Sequence, residues 1–424
     1  MHVVIFEGSQ WRHFAPLSIS RPSFDLSCGI GTLLEKQIRA TSPTRLTLWV
    51  RPGLESYCRK FILPNLPCPT EINVPLDDEP ALLLSGRTLH LTRFEHDDSP
   101  SVVVDESPAG PIIRQAWTKD PGLSPADLFD RTARWLALLD LPHSMQQSRM
   151  PNFIWDLISW NEEAIVADAI NWGEPSEPKP AGPYHMVEES NIILGSQVKL
   201  GPGCVLDASK GPIVLASHVS IGANAVLQGP CCVGEHTQIS PLANIRAGVS
   251  IGAMCKIGGE VSNSIILSYT NKAHEGFVGD SYIGQWVNLG AGSTTSNLKN
   301  TYSHISMSLG SEPIETGRRF LGAMIGDHSK LAINTCVMTG SYIGYNAMVA
   351  MSAYPPKFVP SFTFLTDAGP EPYRLDKATE AMKQVFNRRH RQWTAADDEM
   401  NSFAADAARQ VESFRNPGED PAGP

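Results

Sequence analysis

From about residue 190 onward, aliphatic residues recur every six positions. Leu194, Leu200 and Leu206 open the series. Leu215, Ile221, Leu227, Val233, Ile239, Ile245, Ile251 and Ile257 continue it without a slip. Ile283 and Leu289 keep the step, and Ile325, Leu331, Val337, Ile343 and Val349 close it. A period of six is neither the 3.6 of a helix nor the 2 of a half-buried strand. It fits a solenoid in which each coil has three short parallel strands, so that three hexads, about 18 residues, complete one turn. The aliphatic side chain points into the prism, and a small residue after it, often glycine, lets the chain turn the corner. Such coils bury their faces only by stacking. The pattern predicts this domain over 185–365.

The series breaks twice. Ile257 to Ile283 spans 26 residues, which is not a multiple of six, and predicts a loop or irregular coil. Between Leu289 and Ile325 the hexad positions 295, 301, 313 and 319 cannot all be core, which predicts an excursion over Ser303–Phe320. Interruptions of a solenoid are where binding and chemistry concentrate.

Elsewhere the pattern differs. Residues 1–180 read as a mixed α/β domain, with β-prone runs at Val3–Phe6, Leu46–Val50, Ala81–Leu84 and Val102–Val104. A helix is predicted over Pro125–Leu141 and a Pro/Gly-rich linker over Gly173–Gly182. A helical tail is predicted over 370–415, with helices at Tyr373–Trp393 and Asp397–Phe414, followed by a disordered end at 416–424. The basic run Arg388–Arg391 reads as a solvated helix C-terminus, with phosphate or CoA contact as the functional alternative.

Composition sharpens this picture. The chain has 424 residues, 34 basic and 44 acidic, for a net charge of −10. Nucleic-acid binding is not expected, because it needs a basic face. Charged residues make up only 18% of the chain while glycine reaches 34 residues, as inward apolar rows and tight corners require. The start lacks the basic head and apolar run of a signal peptide, and no uncharged apolar stretch reaches a membrane span of about 18 residues, so a cytoplasmic protein is expected. The eight cysteines form no Cys-x-x-Cys pair, and neither a disulfide framework nor a metal site is expected from them.

One segment carries the chemistry. Lys272-Ala273-His274-Glu275-Gly276-Phe277-Val278-Gly279-Asp280, then Ile283-Gly284-Gln285-Trp286-Val287-Asn288-Leu289-Gly290-Ala291-Gly292-Ser293, resembles the acetyltransferase half of the bifunctional N-acetylglucosamine-1-phosphate uridyltransferase/glucosamine-1-phosphate acetyltransferase family. The motifs Leu206–Pro212, Gly259–Ser264 and Gly326–Lys330 are similar to a divergent branch of sugar nucleotidyltransferases within it. The resemblance implies a left-handed parallel β-helix, a homotrimer with sites between subunits, and acyl transfer from acetyl-CoA to a sugar phosphate or nucleotide sugar. On it, His274 is the general base and Asn288 a positioning group. Arg246, Lys272, Phe277 and Asn297 face the substrate, and Ala291 and Gly292 let the pantetheine arm approach. Arg246 stands where the family holds the sugar phosphate, and a guanidinium fork suits that task. Phe277 replaces an aromatic hydroxyl, and His328 in Gly-Asp-His-Ser-Lys reads as an inter-coil packing residue.

The N-terminal stretch Ile5–Pro22 resembles the phosphate loop of nucleotidyltransferases, with Gly8, Arg12 and Arg21 as its nucleotide-binding candidates. Only one of the usual glycine pair is present, and Glu7 places negative charge where a triphosphate would approach. A metal-holding Gly-Asp is replaced by Leu83-Leu84-Ser85-Gly86-Arg87. A degenerate domain is therefore expected. Two alternatives stand beside acyl transfer. One is a sugar-1-phosphate nucleotidyltransferase using a nucleoside triphosphate and Mg²⁺. The other is a non-catalytic sugar-nucleotide-binding or scaffold protein.

Overall fold

The computed structural model describes residues 1–94, 99–105, 111–143, 149–172, 178–310 and 313–413. The predicted end at 416–424 and the first half of the linker, 173–177, lie outside these residues. Among the described residues no helix is long and apolar enough to cross a membrane.

The N-terminal domain is built on six strands: β1 (His2–Phe6), β2 (Arg45–Trp49), β3 (Thr70–Ile72), β4 (Ala81–Ser85), β5 (Ser101–Asp105) and β6 (Ile112–Thr118). Their order is β3-β2-β1-β4-β6-β5. The first four are parallel, and β6 runs antiparallel to both of its neighbours. Val3 and Ile5 pack on one face of β1, Val4 and Phe6 on the other. Burial on both faces explains the uninterrupted apolar runs of β1 and β4. All four predicted strands are present. The predicted helix at Pro125–Leu141 is two short ones, Pro125–Asp130 and Ala133–Leu139, divided by Arg131 in the left-handed region (φ 50°).

The solenoid is present as predicted, a parallel stack of three sheets. Sheet I has nine strands, from Ile192–Leu194 to Phe358–Val359. Sheet II has ten, of which Gly369–Pro372 is antiparallel. Sheet III runs from His185–Val187 to Phe277–Gly279, then continues as the pair Thr294–Thr295 and Cys336–Val337. The hexad residues form the inward rows; in sheet II the row is Leu200, Ile221, Ile239, Ile257, Lys272, Leu289, Leu331, Val349 and Leu365. The first break is an irregular coil and not a loop. Val261, Ile266, Lys272 and Val278 carry the inward row through Ile257–Ile283, and the missing residues are lost at shortened corners. The second break is an insertion. Thr295 is still in the core, and the chain then leaves to form a hairpin of Ile305–Ser308 and Pro313–Arg318.

Sheet I is apolar on its outer face as well. There Val214, Cys232, Ser250, Ile265, Tyr282, Met324, Tyr342 and Phe358 lie in register. The N-terminal domain covers this face. Its helix α2 (Ile154–Ile170) lies against sheet I, with α1 (Leu33–Thr41) behind. Asn161 of α2 donates to the Gly248 carbonyl at 2.9 Å and accepts from Gly29 N and Ser250 Oγ. Two C-terminal helices, α3 (Leu375–Arg388) and α4 (Ala395–Glu412), complete the cover. Glu412 accepts from Tyr342 and Ser361 of the solenoid, and Phe403 packs over Gly53 of the N-terminal domain.

Candidate functional site

A cavity of about 530 Å³ opens beside sheet III. The solenoid supplies Arg246, Ser262, Asn263, Phe277, Asp280 and Asn297. Helix α2 supplies Trp155, Ile158 and Ser159, and the end of the inserted hairpin supplies Gly317 to Leu321. Asn263, Asp280 and Asn297 form a ladder up one edge of the solenoid, each step 17 residues, or one short coil. The amide of Asn263 donates to one oxygen of Asp280 and that of Asn297 to the other, both at 2.6 Å. Burial raises the Asp280 pKa, and the two amide hydrogen bonds pull it back. Both Asn263 and Asp280 are left-handed (φ 40° and 46°), a conformation that Asn and Asp tolerate.

Three guanidinium groups border this space. Arg318 donates to Asp156 of α2 at 2.8 Å, which ties the hairpin to the helix. Arg319 is exposed at the cavity wall. Arg246 donates to Glu260 at 3.1 Å with half its side chain in solvent. It also lines a second cavity of about 130 Å³ with Asp207, Ser209 and Lys210. The motif Leu206–Pro212 therefore meets the Arg246 segment in space.

The structure gathers Arg246, Phe277 and Asn297 and leaves the other predicted residues elsewhere. His274 is exposed at the corner between sheets II and III, three residues before Phe277. Asn288 is an exposed strand residue of sheet II, paired with Asn271 and Lys330. Lys272 is a correction. It points into the prism and is 2% exposed, so it cannot reach a substrate. Its ammonium donates to the carbonyls of Gly258 (2.8 Å) and His274 (2.9 Å), and burial lowers its pKa to about 8. Gly292 is left-handed (φ 73°), and a Cβ there would meet Asn334 of the next coil at 2.1 Å. The contact is with the Asn334 side-chain oxygen, which can turn aside, so the left-handed backbone is what favours glycine there. Ala291 accepts from Asn334 N in the same corner.

The N-terminal candidates are also reassigned by their surroundings. Ligands of open α/β sheets bind beyond the carboxyl ends of the strands, where strand order reverses, here between β1 and β4. That place is filled by the protein itself. Glu7 is fully buried and accepts from Arg51 Nη1 at 2.8 Å and from Ser23 N at 3.0 Å. The Arg51 guanidinium lies 3.7 Å from the centroid of Trp11. Arg21 is buried in ion pairs with Asp25 and with Asp327 of the solenoid. Arg12 sits over the Trp11 ring. Gly8 has an extended backbone (φ −87°) with open space where a Cβ would be, so nothing there demands glycine. Beyond β4 the buried Arg87 donates to Gln10 and the Pro151 carbonyl. This donor set, a paired glutamate among arginines, does not fit Mg²⁺.

His328 is buried among Trp286, Tyr345 and Phe386, in keeping with an inter-coil role. The basic run after α3 is not simply solvated. Arg389 donates to the Met254 carbonyl and to Asn271, and Arg391 lies over Tyr269. Sequence reasoning missed Asp280, Arg318, Arg319 and Trp155. The 17-residue step of Asn263, Asp280 and Asn297 was the available signal for the first.

A nucleotidyltransferase-like α/β domain joined to a parallel β-solenoid defines the class. The family described as sugar nucleotidyl transferase matches residues 3–172. The chain is 27% identical to the bifunctional protein GlmU of Synechococcus elongatus over 195 residues, covering 41% of this chain and 39% of that protein. It is 36% identical to GlmU of Marinobacter nauticus over 121 residues, covering 28% and 25%. Among solved structures, a UDP-N-acetylglucosamine acyltransferase of Francisella novicida aligns at 18% identity and a TM-score of 0.32, over 52% of this chain and 88% of that one. Over these segments the chain is similar to the GlmU proteins. It spans well under half the length of the curated relatives it matches.

Proposed function

We propose that this protein is a cytoplasmic sugar-nucleotide-type transferase whose chemistry is acyl transfer from an acyl-CoA donor, acetyl-CoA in the first instance, on the solenoid. The observation that carries the reading is the cavity beside sheet III. It combines guanidinium groups suited to a phosphate, an Asn–Asp–Asn ladder suited to hydroxyl groups, and aromatic walls suited to a sugar face. His274, outside this cavity at the corner between sheets II and III, is assigned as the general base. Imidazole titrates near neutrality and can take the proton of the attacking amine or hydroxyl as the thioester carbonyl is attacked. Thiolate leaves and is protonated, so the step needs no metal. Asn288 and the Ala291–Gly292 corner are assigned to the donor side. The active assembly is a homotrimer. Leu242 and Ile333, 76% and 68% exposed, stand at the same solenoid corner as His274, on either side of it, and a neighbouring subunit there would cover them and complete the site.

The test is thiol release from acetyl-CoA with a panel of amino-sugar phosphates and nucleotide sugars. Turnover is expected in the wild type, with none in His274→Ala. Arg246→Ala is expected to raise KM with little change in kcat, the mark of lost ground-state binding. Thiol release that survives His274→Ala refutes the base assignment.

The match over residues 3–172 favours a second reading, nucleotidyl transfer with release of pyrophosphate. The occupied switch point and the replaced Gly-Asp weigh against it. Pyrophosphate release with a nucleoside triphosphate and Mg²⁺ would establish it. Failure of both assays leaves a binding or scaffold role.

A further inference from the structure

The first corner of the solenoid, between sheets I and II, carries one left-handed residue per coil. Gln197, His218, His236 and Met254 succeed one another there, with φ of 55°, 61°, 56° and 60°. Main-chain bonds fix the stacking: His218 N to the Ser196 carbonyl, His236 N to the Ser217 carbonyl, Met254 N to the Glu235 carbonyl. The imidazoles of His218 and His236 therefore lie face to face, with centroids 4.4 Å apart and planes within 2°. Glu235 stands beside them, its carboxylate 3.4 Å from His236 Nε2. One donor atom from each of the three residues falls within 4.8 Å of the others.

We propose that His218, His236 and Glu235 form a binding site for a divalent transition-metal ion of the zinc or nickel class. Imidazole and carboxylate together are the donor set such ions favour. Zinc–nitrogen and zinc–oxygen bonds of about 2.0–2.1 Å at a tetrahedral angle separate the two donors by roughly 3.3 Å. The observed 3.4 Å between Glu235 and His236 already has that span. The rings are partly exposed, so a modest turn of each aims both nitrogens at one point, while the stacked coils hold their Cα atoms rigidly. Three protein donors leave the remaining position to water or to a ligand. Glu235, though neither histidine, also lines the 490 Å³ cavity between the 25–35 segment of the N-terminal domain and sheet I, so the site stands next to this cavity. The site is separate from the sheet III cavity and from His274.

The test is titration of the full chain with Co²⁺, read by its visible ligand-field absorption, and with Zn²⁺ by calorimetry. The comparison variant is His218→Asn/His236→Asn, because asparagine keeps the left-handed corners without imidazole. One Co²⁺ equivalent with a ligand-field band is expected in the wild type and not in the double variant. Glu235→Gln is expected to weaken binding by at least the roughly 10–100-fold that loss of a mere supporting group costs. Circular dichroism of the metal-free variants is expected to match the wild type, so that loss of binding is not loss of fold. Equal binding by wild type and double variant, or no binding by the wild type, overturns the proposal.

Discussion

Lys272 occupies, in the inward row of sheet II, a place that neighbouring coils give to Ile257 and Leu289. A buried ammonium is costly unless its donors are used. Here it satisfies two corner carbonyls, one of them that of His274, and so fixes the corner from which the histidine projects. Its pKa is lowered to about 8 by burial, against about 10.4 in an unfolded chain. Between these values the unfolded chain holds more protons, so the native state gains stability as pH rises through the window. Urea denaturation from pH 6 to 10 is expected to show the wild type gaining on Lys272→Met above pH 8, with a constant difference below pH 7. A difference that stays flat to pH 10 would mean the ammonium is not held as described. The hexad count could not reveal this lysine, because it was lost with the break at Ile257–Ile283. Only the register of the strands shows that the row continues through it.

At the scale of the element, a solenoid corner is where two coils touch backbone to backbone. A Cβ on Gly222 would lie 2.3 Å from Pro241 N of the next coil, and main chain cannot give way as a side chain can. Gly222→Ala is expected to cost on the order of 1–3 kcal/mol or more in chemical denaturation. Gly8→Ala, with no atom within 4 Å of the added carbon, is expected to be neutral or slightly stabilising. The pair separates a glycine required by packing from one suggested by a phosphate-loop motif. The inserted hairpin was legible as an excursion because it breaks the hexad. Its role was not, since Arg318 and Arg319 acquire meaning only when the hairpin folds back on α2 beside sheet III.

Across the whole molecule, the N-terminal domain and the solenoid share one apolar seam, the outer face of sheet I. Arg21 and Asp327 form a buried ion pair within it, and Ser20 adds a hydrogen bond to the same carboxylate. Removing one partner of such a pair leaves a buried charge and costs about 3–5 kcal/mol. Arg21→Ala and Asp327→Asn are each expected to lose that order of stability, and the double variant clearly less than their sum. Additive losses would show that the two side chains do not interact. The sequence by itself determined the solenoid, four strands of the N-terminal domain's core and the two C-terminal helices. Each of these is written in local periodicity, set by side chains that face inward at a fixed step. It also marked His274 and Arg246 as chemically apt. Only the tertiary structure decided what surrounds Arg246, and it left His274 outside the cavity beside sheet III. The cavity is closed by α2, by a hairpin about 40 residues past His274 and by a ladder with a 17-residue step. It likewise turned Arg21 from a nucleotide ligand into a domain tie. Contacts between distant segments follow from how faces pair, and no local period encodes that pairing.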